Sequence, residues 1–381
     1  MAQRIEASDS RDDLGMEKHS NAFRPPFNRR ALLTSLIVIA GVLLRYGAYY
    51  FETGGLSLTR YVGALCQWDC LLYNDLAHNG YESSAQPDGG ANWAFFPCFP
   101  LMLSLFHFIT GLSFIGSGAV LSQCCIGLAA AFARPLFKND ISGYWVFCTL
   151  LIAGPLSFYY SAGLTEALFV MLTVIVLVCL QRGNYLAAGV AASLLSATRV
   201  TGIFIVLPIM VQIVIDYRRG TLPIGPALVA LLLAPVGLIT FMIYLYVHVG
   251  DPLAFVHVQL AWGRSLHSPL FWIEWGLRRG PSGLGFWLIV TAMGALTMCV
   301  VMALRGALGA ALFCAASLTL ALSTGPDSMP RFVAGLVPLT ITTAQILPVR
   351  LTTRLAAVTA AVAFGVYATM KWIGGHAQFL V

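Results

Sequence analysis

Asp69 stands in the segment LCQWDCLLYNDLAHNGY (65–81), a carboxylate among leucines at helical spacing. Leu65, Trp68, Leu72 and Leu76 recur at intervals of three and four, and Asn79-Gly80 is a helix stop. The pattern predicts an amphipathic helix lying in a membrane interface. Asp69 precedes Leu72 and Tyr73 by three and four residues and so belongs near the apolar side. Asp75 is six positions on, roughly 120° away, and points to a solvated face. A carboxylate on an apolar stripe is costly unless it has a partner or a task. Taking the proton from an attacking hydroxyl is one such task. A helix-terminal cap, or a salt bridge to Arg60 or Arg45, is the ordinary alternative.

Other charges also sit where few charges belong. Glu166 opens an apolar helix in SAGLTEALF, and Arg199 closes one in LLSATRVTG. Each has a local explanation, since acidic first turns and basic last turns complement the helix dipole. Arg331 precedes another apolar run in GPDSMPRF. Residues 250–280 read GDPLAFVHVQLAWGRSLHSPLFWIEWGLRRG, with Trp262, Trp272 and Trp275 as interfacial aromatics. His257, Arg264, His267, Arg278 and Arg279 in the same loop are cationic or proton-transferring groups. Snorkelling to lipid headgroups explains any one of the arginines. A lipid-borne phosphate would instead engage one or two of them bidentately.

The elements that position these groups follow from composition. Hydrophobic residues make up 58% of the 381, and charged residues only 10%, against roughly 25% in ordinary soluble domains. Eleven of the 38 charges fall in residues 1–30, which leaves 27 over the other 351 positions. Such a chain cannot cover a soluble surface, and the bilayer must be its solvent. Residues 1–30 are polar, hold no apolar run near Met1, and read as a disordered cytoplasmic tail rather than a signal peptide. Arg29-Arg30 would hold that end inside. The net charge of +6 reflects such anchoring, because no basic stripe interleaved with aromatics suggests nucleic acid.

Twelve apolar stretches are long enough to be spans or near-spans: 31–51, 97–113, 115–136, 143–160, 163–181, 184–199, 202–217, 224–248, 283–304, 306–323, 332–348 and 354–373. Arg182, Arg218, Arg219, Arg305, Arg350 and Arg354 fall at ends that one alternating topology places in the cytoplasm. The first half conflicts with that parity unless one of its segments is not a full crossing. The choice is 97–113, which begins with Pro97 and Pro100 and is read as interfacial or re-entrant. Two long connections, 52–96 and 249–282, then lie outside, and loops of that length are usually functional. The expected class is an all-α polytopic membrane protein of about 11–12 transmembrane or re-entrant helices, with interfacial helices in its outer loops. Residues 31–381 form its one membrane domain.

Several chemistries lack their signatures. Seven histidines and nine cysteines include no CxxC pair and no HExxH, and no phosphate-binding glycine loop is present. No cofactor is indicated, and metal dependence stays open. Cys66, Cys70 and Cys98 face the outer side, where a disulfide could include two of them. Free thiols are the expectation. The other cysteines lie in spans as small apolar residues.

The order of motifs resembles the PIG-V type of GPI mannosyltransferase and its bacterial relatives. The resemblance rests on Trp68-Asp69, Tyr73, Ala77-His78-Asn79-Gly80-Tyr81 and Phe95-Phe96-Pro97-Cys98-Phe99-Pro100. It continues through Tyr160 to Phe169 with Glu166, Ala197-Thr198-Arg199 with Gly202, and Asp251-Pro252-Leu253-Ala254-Phe255. Cys70 departs from the pattern, where a small polar or aromatic residue is expected. The resemblance implies a GT-C glycosyltransferase: a multi-spanning bundle that uses polyprenyl-phosphate sugars and carries an acidic catalytic residue in the first outer loop. It further implies mannose as the sugar, a lipid or glycan acceptor, inversion at the anomeric carbon, and a bacterial inner membrane with the site facing outward. Asp69 would then be the base. Arg199, Arg331, Arg264, His257, Glu166, Trp68 and Tyr73 are the candidates for donor phosphate or substrate binding. The rival readings are a lipid or solute transporter, whose path the same charges would line, and a noncatalytic membrane subunit.

Overall fold

The computed structural model describes residues 27–347 and 350–375. Among them the protein is helical throughout and contains no strand. The expected tail falls largely on residues 1–26, outside the described residues. The first helix, α1 (Phe27–Thr53), begins four residues before the apolar run does.

The connection 52–96 carries two short α-helices, α2 (Leu58–Leu65) and α3 (Asp69–Asn79). The latter ends at Gly80, whose φ of 78° suits glycine. After them come α4 (Cys98–Thr110), α5 (Phe114–Phe132), α6 (Ile141–Ala153), α7 (Glu166–Gln181) and α8 (Tyr185–Ser196). A 3₁₀ turn at Val200–Ile205 leads into α9 (Val206–Arg218). The stretch 224–248 is two helices, α10 (Ile224–Leu233) and α11 (Val236–Val249), broken at Pro235, which has no N–H to continue the ladder. The second long connection, 249–282, holds α12 (Ala254–His257) and α13 (Pro269–Arg279). Last come α14 (Leu284–Leu304), α15 (Leu308–Ser323), α16 (Met329–Gly335), α17 (Val337–Ile346) and α18 (Leu351–Ile373). Each predicted apolar stretch therefore contains helix. Among the described residues six helical segments, with Val200–Arg218 and Ile224–Val249 each taken as one, are long and apolar enough to cross a membrane. The chain is an integral, multi-pass membrane protein.

Small residues let the helices approach closely, as membrane packing favours. A Cβ on Gly189 of α8 would lie 2.8 Å from Ala230 Cα of α10, and one on Gly237 of α11 would lie 2.0 Å from Ser193 O. Contacts between elements sort the bundle into two ends. At one end Gln181 Nε2 donates to Pro135 O at 3.2 Å, Tyr185 Oη to Asp216 Oδ2 at 2.7 Å, and Arg354 bonds Ser142. Arg182, Arg219 and Arg354 thus share one end, as the charge bias expects. At the other end Cys98 N donates to Ala197 O at 3.0 Å, Ser104 Oγ to Ala77 O at 2.6 Å, and the His78 ring meets Phe114 edge-on. So α4 starts beside the end of α8, runs alongside α3, and hands over to α5 at the same end of the bundle. That is the path of a non-crossing segment.

Candidate active site

At the end of the bundle away from Arg182, four side chains from four distant segments meet. Arg331, in the first turns of α16, donates from Nη1 to Asp69 Oδ2 at 2.6 Å and from Nε to Glu166 Oε1 at 2.7 Å. Arg199 donates from Nη1 to the same Glu166 oxygen at 2.8 Å. Glu166 is fully buried and Arg331 nearly so, whereas a third of the Asp69 side chain is open. Carboxylate and guanidinium alternate, which is the condition under which charges survive burial.

Each member is delivered by its local sequence. Asp69 is the first residue of α3, directly after Trp68, whose φ of 55° is unusual for a bulky side chain. Glu166 opens α7, as its sequence context implied, whereas Arg199 does not close α8: that helix ends at Ser196, and Arg199 stands in extended backbone (φ −157°) just before the 3₁₀ turn. Arg331 follows Ser328, another non-glycine residue with φ of 62°. Among the described residues only Lys138 shares that property, so two of the three such sites flank the cluster. Backbone in sparsely populated conformations concentrates at functional sites. Tyr160 Oη fastens α16 by donating to Ala334 O at 2.7 Å, and Arg199 lies over the Phe332 ring at 4.9 Å.

Asp69 is faced by Arg331, Arg264 and Arg199. Burial works against its ionisation, but Arg331, with help from Arg264 and Arg199, outweighs burial and holds the carboxyl below its ordinary value. Tyr73, one turn on, is pushed well up, first by burial and then by Asp69. It stays a neutral phenol, packed edge-on against Phe95 at 5.0 Å and Phe99 at 5.3 Å.

The remaining candidates are more scattered. Arg264 comes within electrostatic reach of Asp69 but makes no ion pair among the described residues, and Asp327 also acts on it. His257 is exposed and bonds Asp251 Oδ2 through Nδ1 at 2.6 Å, with no hydrogen bond to the cluster. Trp68 exposes 52% of its surface. The buried stripe predicted as Leu65, Trp68, Leu72 and Leu76 is instead Cys70, Tyr73 and Leu76 on α3. The reason is the break at Trp68: Leu65 belongs to α2, and the helical phase restarts at Asp69. Asp75 is exposed and accepts from Asn79, as predicted. Neither Arg60 nor Arg45 pairs with Asp69. Arg45 is buried, donating to Ile152 O and to Gln123 Oε1 at 3.0 Å. Cys66 and Cys70 are joined in a disulfide, against the expectation of free thiols, while Cys98 is free.

Some features had no sequence signal. A small recess beside Arg199, of about 10 Å³, is lined by Phe169, Thr201, Ser317 and Phe332. Glu166 Oε2 is buried and has no hydrogen-bond donor among the described residues. Among the described residues no three His, Cys, Asp or Glu side chains group as metal ligands would.

No family model matches the chain. Over 154 residues it is 27% identical to GPI alpha-1,6-mannosyltransferase 2 of Mus musculus, a stretch that covers 37% of this chain and 30% of the mouse protein. Among solved structures, that of ArnT from Cupriavidus metallidurans bound to undecaprenyl phosphate is similar with a TM-score of 0.52. The similarity covers 92% of this chain and 75% of that one at 12% identity, and is a likeness of fold. The chain thus has the fold seen in ArnT, and part of its sequence resembles a GPI mannosyltransferase.

Proposed function

We propose that this protein is an inverting glycosyltransferase. It moves a hexose, mannose by kinship, from a polyprenyl-phosphate donor to a hydroxyl of a lipid or glycan acceptor, on the non-cytoplasmic side of the membrane. The observation that carries the reading is the Arg331 bridge, a guanidinium shared by a carboxylate from the first outer loop and a buried carboxylate. The undecaprenyl phosphate held by ArnT, a protein of the same fold, supports the donor class. The mouse mannosyltransferase supports the sugar.

Asp69 takes the proton as the acceptor oxygen forms its bond to the anomeric carbon. The bond from that carbon to the phosphate oxygen breaks, and its electron pair leaves with the phosphate. Phosphate is a good leaving group and needs no general acid. Arg331 and Arg199, with Arg264 in reach, stabilise the charge gathering on it. Glu166 orients both arginines through a single oxygen. In the free protein Arg331 keeps Asp69 a weak base. Donor phosphate competes for the same guanidinium, so donor binding restores basicity to Asp69 at the moment it is needed. Proton transfer of this kind is worth roughly 10²–10⁴-fold in rate.

The test is purified protein in lipid nanodiscs, given polyprenyl-phosphate mannose, glucose or galactose, each labelled in the sugar, with membrane lipid extract as acceptor. A labelled product with the anomeric configuration opposite to the donor's is expected. Movement of label across a vesicle membrane without a new glycosidic bond would make the protein a transporter instead.

A further inference from the structure

The Cys66–Cys70 disulfide spans a stretch whose interior residues are Gln67, Trp68 and Asp69. We propose that this disulfide positions the Asp69 carboxylate, and that full turnover requires the pair to be oxidised. The proposal rests on the role of Asp69 given above.

The reasoning starts from what holds Asp69. Its carboxylate accepts from Arg331, and that contact must loosen if phosphate is to take the guanidinium. The carboxylate must then be kept in place from its own backbone. That backbone is poorly suited to stay put by itself, because Trp68 adopts φ 55° and ψ −123°, a sparsely populated conformation for any bulky residue. It persists only if both flanks are tied. On the near side Gln67 Nε2 donates to Trp372 O at 2.6 Å and to Ala64 O at 3.0 Å, and Trp372 Nε1 donates to Leu65 O at 2.9 Å. On the far side Cys70 is buried, and its sulfur sits where a Cβ on Gly163 would approach it to 3.0 Å. Asn74 Nδ2 donates to Cys70 O at 2.8 Å and reaches both disulfide sulfurs at 3.3 Å. The covalent bridge joins these two anchored flanks directly across Asp69.

The arginines and Glu166 stand on other elements and do not depend on the bridge. Opening it should therefore leave donor recognition intact and misplace the base alone. A misplacement of about 1 Å can cost on the order of 10²-fold in rate. Disulfides persist in oxidising compartments, which agrees with a site on the non-cytoplasmic side.

The experiment compares oxidised wild type, wild type reduced with a phosphine and alkylated, and the Cys66→Ser/Cys70→Ser variant. It reads kcat, KM for polyprenyl-phosphate mannose, and amide hydrogen exchange over 65–74. The expected result is a tenfold to hundredfold loss of kcat on reduction, with KM within about twofold. Exchange over 65–74 should rise while that of 166–181 does not, and the double variant should match reduced wild type and ignore reductant. Unchanged kcat on reduction would overturn the proposal. So would a parallel loss of kcat, KM and protection throughout the bundle, which would make the bridge merely structural, or the finding that both cysteines are free thiols in the isolated protein. If oxidised wild type makes no product at all, the functional reading fails separately. The exchange arm then decides alone: a rise confined to 65–74 supports the positioning role, and no change overturns it.

Discussion

Arg331 and Asp69 are 262 positions apart in sequence, yet Arg331 Nη1 donates to Asp69 Oδ2 at 2.6 Å. The same guanidinium donates through Nε to Glu166. The residue proposed to hold the leaving group is thus also the residue that quenches the proposed base. Most of the expected behaviour of the site turns on that double role.

Asp69→Asn should lower turnover at least a hundredfold, about 3 kcal/mol of barrier, while donor binding survives. The amide has nearly the same shape but accepts no proton from the attacking hydroxyl. Asp75→Asn, on the exposed face of the same helix, should stay near wild type. Steady-state kinetics of the two variants side by side check the assignment. Normal turnover by Asp69→Asn would remove the base from the mechanism.

Arg331→Ala and Arg199→Ala should each weaken donor binding about ten- to a hundredfold, since a charged hydrogen bond is worth roughly 1.5–3 kcal/mol. Lysine should rescue only in part, lacking the planar fork. Arg264→Ala should do less, because Arg264 acts on the site only through space. Titration with a labelled donor analogue measures all three. Wild-type affinity in every variant would reduce these arginines to structural or snorkelling roles.

Glu166→Leu tests the buried half of the network. It leaves two guanidiniums without their shared acceptor, and removing one member of a buried charged set costs about 3–5 kcal/mol. A marked fall in the midpoint of thermal unfolding in detergent is expected, alongside weaker donor binding. Unchanged stability would mean that water already satisfies both arginines.

The pH profile should separate free from donor-bound protein. In the free protein Asp69 is held below the ordinary value of 3.8 by Arg331, Arg264 and Arg199 against burial. The acid limb of kcat/KM should therefore lie below pH 3.8. If donor phosphate takes over Arg331, the limb of kcat should lie higher. Arg331→Gln should raise the kcat/KM limb, since burial is then less opposed. For stability the sign is the same: the contribution of Asp69 is present above its unfolded value and disappears as pH falls through the lower folded one. Coincident limbs for kcat and kcat/KM would argue against a handover of Arg331.

Orientation can be read by labelling single cysteines in a background without native thiols. Gln86→Cys and Ser268→Cys should react with an impermeant reagent from outside, and Arg182→Cys and Arg219→Cys only from inside. External labelling at Arg182→Cys would turn the site to face the cytoplasm.

Much of this protein could be read from residue types alone, and the reason is the solvent. Hydrocarbon admits few charges and requires backbone hydrogen bonds to close within the segment, so apolar stretches had to be helices, and all twelve contain them. The same rule made Asp69, Glu166, Arg199 and Arg331 conspicuous, because an ionisable group in apolar context is costly wherever it stands. What pairs with what was not legible. Arg331 joins partners 262 and 165 positions away, and each partner also had a sound local explanation, a cap or a helix dipole. Only the packing of α3, α7 and α16 at one end of the bundle chooses between them. The exposed face of α3 was likewise decided by tertiary structure. Periodicity carries a helical phase only while the helix continues, and the positive φ of Trp68 resets it one residue before Asp69. That break exposes Trp68, buries Cys70 and Tyr73, and presents the carboxylate to an arginine that no local pattern names.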